Sequence, residues 1–392
     1  MLEHAMSLLT INAGSSSLRL ALYDDEAASR KAAIAVEQIG GPEGLLRISD
    51  SNRSTTTSVE LRDHAAALDE VFNRLPELFS SPIRAIGHRL VHGGPDHQDT
   101  ERITPTLLDA LKELEEIDRT HMPQALAIIE AVTRRFPSVP QFACFDTAFH
   151  RSMPDIAQRY PLPRWTLDAG VRRYGFHGLS CESIIAQLEK ISANASRVLI
   201  AHLGNGASVT AVRDAVSVDT TMGFSPTGGL MMGTRCGDLD PTVVTFLMQF
   251  RSMTSDAVEK LVNEKAGLLA ASELSPSMHD LLKVADSNSQ AAQAIELYCY
   301  IARKHFAALA AVLGGLDVIV FTGGIGENAA PVREKICSGL QHLGVQLDAQ
   351  RNRAHEPVIS SESSRVVVRV IRTDEDLVIA KHVLRLLGER RK

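Results

Sequence analysis

The chain contains the same short pattern twice, with the two copies about half its length apart. An apolar run at residues 8–11 leads through the turn-forming residues 12–17 into a second apolar run, and residues 198–202 lead through 203–208 in the same way. Each copy is typical of a β-hairpin: a strand, a tight turn of Asn, Gly and Ser, and a second strand. The repeat predicts a duplicated architecture of two lobes with a cleft between them. The alternative is a coincidence between two unrelated hairpins.

Helices and strands alternate around these hairpins. Helical spacing is found at residues 61–79 and 123–136, with Pro123 at a favourable first-turn position, and again at 182–191 and 291–313. Short apolar runs predict buried strands at 83–86, 141–145 and 318–322, and residues 49–58 are typical of a polar hairpin or loop. This alternation predicts α/β layering. Because 392 residues exceed one ordinary core, two domains are expected, at 1–150 and 151–375.

Composition excludes several classes of function. The net charge of −6 argues against a nucleic-acid binder, which carries a basic excess. The longest apolar stretch, residues 306–321, is interrupted by Gly314, Gly315 and Asp317, so no membrane span is expected. Residues 1–7 lack the features of a targeting segment. The five cysteines are scattered without a CxxC pair, which is typical of free thiols in a reducing compartment, so a cytoplasmic protein is expected.

Residues 228–240 contain four glycines around Arg235. A guanidinium is planar, always charged and can bind bidentately, so an arginine framed by glycines suits an anion whose charge is spread over several oxygens. The alternative is a surface loop with an incidental arginine. The first hairpin turn likewise offers Asn12 and hydroxyls that could wrap a phosphate or hold the water ligands of a metal, or could form an ordinary Asx turn.

Further polar side chains follow apolar runs. Arg89 precedes two glycines, Asp146 directly follows a predicted strand, and His177 lies between glycines. Each of these residues, taken alone, is more often structural than functional. Residues 321–328 predict a turn between a buried strand and a helix, suited to a nucleotide. This segment is neither a Walker A loop, since GK[ST] is missing, nor a Rossmann fingerprint, since the third glycine is missing.

Together these segments resemble the acetate kinase (acetokinase) family of the actin-like, sugar-kinase-like phosphotransferase superfamily. The resemblance runs from about residue 8 to residue 380 and rests on seven segments in the family's order: 10–18, 87–94, 145–150, 174–178, 202–206, 222–241 and 323–328. It implies an α/β fold of two duplicated actin-like (ribonuclease H-like) lobes around a central cleft, with residues 376–392 completing the N-terminal lobe. It also implies a homodimer formed through the second lobe.

The resemblance implies a phosphotransferase with a carboxyl acceptor. Its reaction is reversible transfer from ATP to acetate, giving acetyl phosphate and ADP, with Mg²⁺ or, alternatively, Mn²⁺. Matching positions make Asn12 and Glu375 the metal residues, and Asp146, His177 and Arg235 the catalytic residues. The implied substrate residues are Arg89 as carboxylate anchor, with Val91, Thr120, His121, Phe176 and Pro226. The implied nucleotide residues are Arg19, His202, Leu203, Gly204, Asn205, Gly206, Ser277, Met278, His279, Gly324, Ile325, Gly326, Glu327 and Asn328.

The implied chemistry suits these residue types. Phosphoryl transfer has a loose, in-line transition state, so catalysis consists mostly of positioning and electrostatic stabilisation. Arg235 and His177 would flank the transferring group in a direct transfer. Acetate is already ionised at neutral pH, so we interpret Asp146 as an organiser of metal and water rather than as a base. A phosphohistidine intermediate on His177 is the alternative mechanism.

The chain departs from the family's pattern in four places. Arg19 replaces a lysine, and residues 120–123 read Thr-His-Met-Pro instead of Leu-His-Asn-Pro. Thr227 and Gly228 replace Leu-Glu, and residues 277–279 read Ser-Met-His instead of Asp-Met-Arg. An apolar pocket discriminates one methylene by only about 1–3 kcal/mol, so Thr120 leaves the acyl preference open. The changes at 277–279 leave the preference for ATP over GTP open.

The sequence therefore leaves three hypotheses about the function of the protein. The first is an acetate kinase, with propionate or another short-chain carboxylate as the alternative substrate. The second is a butyrate-type or sugar kinase, although no base for a sugar hydroxyl is evident. The third is a non-catalytic, actin-like ATP-binding switch, which would have no reason to keep Arg89, His177 and Arg235 together.

Overall fold

The computed structural model describes residues 6–14, 16–24, 28–41, 43–50, 53–78, 81–119, 121–191 and 195–389. The chain divides into two compact units. The first unit comprises Met1–Ala148 with Asp374–Lys392, and the second comprises Phe149–Thr373.

The first unit is built on an eight-stranded mixed sheet in the order β5-β4-β3-β2-β1-β6-β8-β7. Its strands are β1 (Ser7–Gly14), β2 (Ser17–Asp24), β3 (Arg30–Glu37), β4 (Gly44–Asp50), β5 (Ser54–Val59), β6 (Ile83–Leu90), β7 (Glu101–Arg102) and β8 (Gln141–Phe145). Its first helices are α1 (His64–Leu78), α2 (Pro105–Glu113) and α3 (Met122–Arg135). Apolar side chains of β1 to β4 pack with α1 and α3 in one core, and α2 and α3 enclose a second core with β8.

The second unit contains a five-stranded sheet in the order β11-β10-β9-β12-β13. Its strands are β9 (Arg197–Leu203), β10 (Ala207–Arg213), β11 (Val216–Thr220), β12 (Val318–Thr322) and β13 (Val367–Val370). Its helices are α4 (Asp155–Gln158), α5 (Arg164–Asp168), α6 (Gly178–Ile191), α7 (Pro241–Phe250), α8 (Ser255–Glu264), α9 (Gly267–Ser272), α10 (Met278–Val284), α11 (Ser289–Leu313), α12 (Gly323–Asn328), α13 (Ala330–Cys337) and α14 (Ala349–Arg353).

The last helix, α15 (Glu375–Glu389), belongs to the first unit. It packs on β1 and β6, where Gly87 permits a close approach. A Cβ at Gly87 would lie 2.4 Å from Cγ2 of Ile379, so any side chain there would push the helix off the sheet. This packing sets Glu375, at the start of the helix, beside β1.

The two sheets share one pattern of strand pairing. In the first unit β3, β2 and β1 are antiparallel neighbours, and β1, β6 and β8 are parallel neighbours. In the second unit β11, β10 and β9 are antiparallel neighbours, and β9, β12 and β13 are parallel neighbours. Both predicted hairpins are present as β1–β2 and β9–β10, and the α/β fold class is confirmed.

Most predicted elements are confirmed with small shifts at their ends. The polar segment 49–58 lies within the β4–β5 pair, apart from residues 51–52, which are outside the described residues. The predicted turn within 321–328 is wrong, because residues 323–328 form α12 directly after β12. Within the described part of the chain, no helix is both long and apolar enough to cross a bilayer.

Candidate active site

Three neighbouring parallel strands of the first unit bring three predicted residues together. Asn12 lies near the end of β1, Arg89 near the end of β6, and Asp146 directly follows β8. The carboxyl ends of neighbouring parallel strands meet at one edge of a sheet, which is where α/β proteins bind ligands. Glu375 joins them from α15, because Asn12 Nδ2 donates a hydrogen bond to its Oε2 at 2.8 Å.

Arg89 is held by Asp146. Its Nε and Nη2 donate to Oδ2 of Asp146 at 3.0 and 2.5 Å, while Nη1 donates to Oδ1 of Asn12 at 3.2 Å. The carboxylate is fully buried and the arginine nearly so. Burial alone would lower the pKa of Arg89, but the charges of Asp146 and Glu375 outweigh it and raise that pKa, so the guanidinium stays charged.

The donor chemistry of this cluster fits Mg²⁺. Asn12, Asp146 and Glu375 offer amide and carboxylate oxygens, the ligands that Mg²⁺ prefers, and the single positive charge of Arg89 faces two negative charges. The described residues contain no group of three or more His, Cys, Asp or Glu that would make a complete metal cage. Mg²⁺ does not require one, because it is usually held by one or two carboxylates together with waters and substrate phosphates.

The second unit gathers its predicted residues around the β9–β10 hairpin. A Cβ at Gly206 would lie 3.2 Å from Nε2 of His177 and 3.6 Å from Nη1 of Arg235. A Cβ at Gly204 would lie 3.6 Å from Nε2 of His202 and 3.9 Å from the backbone nitrogen of Gly324. A hairpin turn, an imidazole and a guanidinium therefore converge on one small region that glycine keeps open.

His177 adopts a backbone conformation that is uncommon for residues other than glycine. Its φ is +61°, in the left-handed region, which costs a residue other than glycine about 1–3 kcal/mol. This backbone delivers Nδ1 to within 2.9 Å of Oγ of Ser208 and stacks the ring on His202, with the two centroids 4.2 Å apart. His202 is itself bound through Nδ1 to Oγ of Ser180 at 2.8 Å. Such strain persists where the surrounding structure enforces it, and it is common at functional sites.

Backbone hydrogen bonds hold the loop that bears Arg235. The nitrogen of Met232 donates to the carbonyl of Arg235 at 3.0 Å, and the nitrogen of Ala266 donates to the carbonyl of Thr234 at 3.0 Å. Arg235 Nη1 donates to the carbonyl of Pro226 at 3.3 Å. The loop is therefore an ordered support for the guanidinium.

The helix α12 replaces the predicted turn. Gly323 has a φ of +77° and packs so closely on β9 that a Cβ would lie 2.8 Å from the carbonyl oxygen of Leu203. The Glu327 carboxylate accepts from the nitrogen of Gly323 at 3.0 Å, and Asn328 Nδ2 donates to the carbonyl of Gly324 at 2.9 Å. Glu327 and Asn328, which were predicted to bind the nucleotide, therefore form hydrogen bonds within α12.

Sequence reasoning missed Arg333, which supports α12 from α13. This arginine is fully buried, and its Nη1 donates to the carbonyls of Gly326 and Glu327, each at 2.9 Å. Its Nε donates to Oδ1 of Asn352 at 2.8 Å. Burial lowers the pKa of Arg333 to about 10. No pattern in the sequence around Arg333 signals this role.

The remaining predicted residues are distributed between the two units. In the first unit, Arg19 is exposed and lies opposite Asn12 in the register of the β1–β2 hairpin. Val91 directly follows β6. His121 precedes α3, and its Nδ1 lies 2.9 Å from Oδ1 of Asp118. Thr120 is outside the described residues. In the second unit, Ser277 caps α10, Met278 is buried, His279 is exposed, and Phe176 is buried.

Comparisons with known proteins add an independent finding. The profile of the acetokinase family matches residues 7–381. The chain belongs to the acetokinase family. The acetate kinase of Rhodopseudomonas palustris (strain ATCC BAA-98 / CGA009) is 41% identical over 391 residues, which are 97% of this chain and 98% of that protein. The acetate kinase of Methylocella silvestris is 42% identical over 398 residues, again 97% of this chain and 98% of that protein.

Solved structures agree with this assignment. The crystal structure of Porphyromonas gingivalis acetate kinase has a TM-score of 0.85 and 34% identity, covering 98% of this chain and all of that one. A propionate kinase from Francisella tularensis has a TM-score of 0.87 and 33% identity, covering 96% of this chain and 98% of that one. The chain is thus a carboxyl-group phosphotransferase with the actin-like fold, as predicted.

Proposed function

We propose that this protein transfers the γ-phosphoryl group of ATP directly to acetate, reversibly, in the presence of Mg²⁺, within the cytoplasm. Membership of the acetokinase family supports the reaction class. The observation that carries the proposal is the convergence of His177 Nε2 and Arg235 Nη1 on Gly206. A guanidinium and an imidazole over an open glycine turn can stabilise charge on the equatorial oxygens of a transferring phosphoryl group.

The residues of the second unit handle the nucleotide in this proposal. The turn from His202 to Gly206 lies along the phosphates, because glycine lets backbone N–H groups approach anionic oxygens closely. His177 and Arg235 bind the phosphoryl group during transfer. Gly324 to Asn328 on α12 and Ser277 to His279 at the start of α10 form the adenosine side.

The residues of the first unit handle the acid and the metal. Arg89 supplies the positive charge for the acetate carboxylate, and Asp146 fixes its orientation through the buried ion pair. Asn12 and Glu375 would hold Mg²⁺, which would neutralise charge on the phosphate oxygens. Since Asp146 is paired with Arg89, we assign it to orientation and metal organisation rather than to proton abstraction. We assign Arg19 to the nucleotide as well.

Acyl selectivity is the sharpest test of the proposed substrate. We assign recognition of the acyl group to Val91, Thr120, His121, Phe176 and Pro226. The experiment compares kcat/KM for formate, acetate, propionate and butyrate by trapping the acyl phosphate as a hydroxamate. Acetate should be the best substrate. A higher kcat/KM for propionate would replace acetate with the alternative acid, and no acyl phosphate from any of the four would favour the ATP-binding switch.

We further propose a homodimer whose interface includes α7. None of the ten residues of this helix is buried, although most are apolar, and Phe246 stacks on Phe250 with centroids 5.2 Å apart. Monomeric proteins rarely expose a contiguous apolar patch of this kind, and a second copy of the chain is the simplest cover in a symmetric dimer.

Light scattering coupled to gel filtration tests this interface. The wild-type protein should elute as a dimer, and a variant with Phe246→Ser and Phe250→Ser should elute as a monomer. Trp165→Ser, which changes another exposed aromatic side chain, is the matched control and should leave the dimer intact. A wild-type monomer, or a dimer that survives the double substitution, would contradict the proposed interface.

A further inference from the structure

His150 is a buried histidine whose two ring nitrogens are both engaged. It lies on the short helical turn Ala148–Ser152 after β8, with 1% of its surface exposed. Nε2 lies 2.9 Å from the carbonyl oxygen of Phe176, and Nδ1 lies 2.9 Å from Oγ of Ser217 on β11. A carbonyl oxygen can only accept, so Nε2 carries the proton and Nδ1 accepts from the hydroxyl of Ser217. These contacts fix the tautomer and the ring plane of His150.

Burial keeps this imidazole neutral by lowering the pKa of His150 to about 4. A neutral ring with Nε2 protonated is the form that its two partners require. Near neutral pH the ring is therefore a constant hydrogen-bond donor to Phe176.

The carbonyl that His150 binds belongs to the peptide directly before His177. Rotation of that peptide plane changes φ of His177, so a hydrogen bond to the carbonyl restrains this angle. The restraint has a purpose, because φ of His177 is +61°, in a region that is unfavourable for residues other than glycine.

The ring of His150 also fits the backbone on the other side of Phe176. Gly175 has a φ of +77°, and a Cβ there would lie 2.6 Å from Cγ of His150 and 2.7 Å from Cγ2 of Thr220. His150 therefore contacts the turn at two points, Gly175 through packing and Phe176 through the hydrogen bond. The turn from Gly175 to His177 therefore packs closely on the ring of His150.

The conformation held in this way determines where the His177 ring lies. With φ at +61°, Nδ1 of His177 reaches Oγ of Ser208, the ring stacks on His202, and Nε2 faces the open side of Gly206. Rotation of this peptide would move the whole ring of His177. The reason is that φ of His177 is the only backbone torsion between the peptide plane and the Cα atom that bears the side chain.

We propose that His150 is a positioning residue for the phosphoryl-transfer step, which holds the strained turn that aims His177. This inference rests on the proposed function, in which His177 stabilises the transferring group. His150 contacts no substrate in this role. It acts only through the peptide between Phe176 and His177.

The first test compares two replacements of His150. His150→Gln can keep an N–H near the position of Nε2, whereas His150→Phe fills a similar volume without a donor. His150→Phe should lower kcat by roughly 10²-fold, the expected cost of misplacing a catalytic group by about 1 Å, with KM for ATP and acetate little changed. His150→Gln should restore most of the activity. Equal losses in the two variants would overturn the proposal.

A double-mutant cycle with His177→Ala separates positioning from general stability. If His150 acts through His177, then His150→Phe should have no further effect on kcat once His177 is alanine, with rates normalised to the folded fraction measured by circular dichroism. His88→Phe, which removes a buried histidine from the first unit, is the control and should have the same effect in both backgrounds. A full loss from His150→Phe in the His177→Ala background would overturn the proposal.

A crystal structure of the His150→Phe variant gives a readout that does not depend on activity. The peptide before His177 should be rotated and φ of His177 should leave the left-handed region. An unchanged φ would overturn the positioning role, even if the wild-type enzyme forms acetyl phosphate. Conversely, a wild-type protein without kinase activity but with a rotated peptide in the variant would overturn only the proposed function. If His150→Phe does not fold, Ser217→Ala removes the hydroxyl that fixes the tautomer and should produce a smaller loss in kcat with the same dependence on His177.

Discussion

The two units fix their candidate catalytic groups by different physical means. In the first unit, charged and amide side chains hold one another, as in the buried pair of Arg89 and Asp146 and the hydrogen bond from Asn12 to Glu375. In the second unit, the backbone holds the functional side chains, through the left-handed conformation of His177 and the ordered loop around Arg235. The first arrangement is sensitive to the loss of a charge, and the second is sensitive to small changes of shape.

The function proposed for each unit explains this difference. A metal and a carboxylate need a balanced set of charges, which side chains on the ends of parallel strands can supply. A phosphoryl group in transfer needs donors at fixed positions more than it needs extra charge. Variants that remove a charge and variants that change only shape can therefore separate the two cases.

The largest effect is expected at Arg235. Arg235→Ala should lower kcat by roughly 10³-fold or more, as losses of arginine fingers do in other phosphotransferases. Steady-state kinetics of acyl phosphate formation checks this. Arg353→Ala, at an exposed arginine in the same unit, should have little effect. A decrease in kcat of less than tenfold in Arg235→Ala would show that Arg235 does not stabilise the transition state.

The buried ion pair of the first unit should matter most for stability. Asp146→Asn leaves the charge of Arg89 with a weaker partner, so the free energy of unfolding should fall by about 3 kcal/mol. Asp317→Asn breaks a pair of similar geometry with Arg197, but that pair is partly exposed to solvent, so its loss should cost much less. Urea unfolding of both variants measures the difference. Equal losses would show that burial does not distinguish the two pairs.

At the β9–β10 hairpin of the second unit, a change of shape without a change of charge should lower kcat. Gly206→Ala adds one methyl group 3.2 Å from Nε2 of His177 and should lower kcat roughly 10²-fold by displacing a catalytic group, without changing any charge. Gly388→Ala is the control, because a Cβ there meets no atom within 4 Å. Full activity in Gly206→Ala would mean that the turn tolerates a side chain and that the convergence on Gly206 has no catalytic meaning.

The smallest predicted effect is a pH dependence of stability that both units share. His88 in the first unit and His150 in the second are both buried, and burial lowers the pKa of each to about 4. An unfolded histidine binds its proton near pH 6.5, so between pH 6.5 and pH 4 the unfolded state holds more protons and the folded state loses stability as the pH falls. Each histidine should contribute a loss of about 1.5 kcal/mol between pH 6.5 and pH 5.

Comparing the pH dependence of variants isolates these contributions. Asp376 acts in the opposite direction, because burial and Glu375 raise its pKa to about 6 and the folded state takes up its proton in the same range. Urea unfolding of His88→Gln and His150→Gln at pH 6.5 and 5 should therefore give a shallower loss than the wild type. A slope unchanged in either variant would mean that the corresponding histidine is not held neutral in the folded state.

Much of the fold follows from local patterns. The two hairpins, the helices near residues 64–78 and 122–135 and the strand 141–145 all follow from apolar periodicity and turn residues. The helix Gly323–Asn328 did not, because three of its six residues are glycine, which disfavours helices, and tertiary packing on β9 overrides that preference.

The candidate site was predictable as a set of residue types but not as an arrangement. Positions after apolar runs and among glycines, together with the resemblance to a family, identified Arg89, Asp146 and His177 as candidates. The pairing of Arg89 with Asp146 joins residues 57 positions apart, and the bond from His150 to Phe176 spans 26, so neither leaves a local pattern. The left-handed backbone of His177 is equally hidden, since only the folded surroundings enforce it.

The stereochemistry of transfer tests the central claim, that His177 is an aimed stabiliser of a direct transfer rather than a nucleophile. The measurement uses ATP made chiral at the γ-phosphorus with three oxygen isotopes, and determines the configuration of the acetyl phosphate formed. A single in-line transfer to acetate predicts inversion. Retention would require two displacements, through a phosphorylated residue such as His177, and would contradict the account.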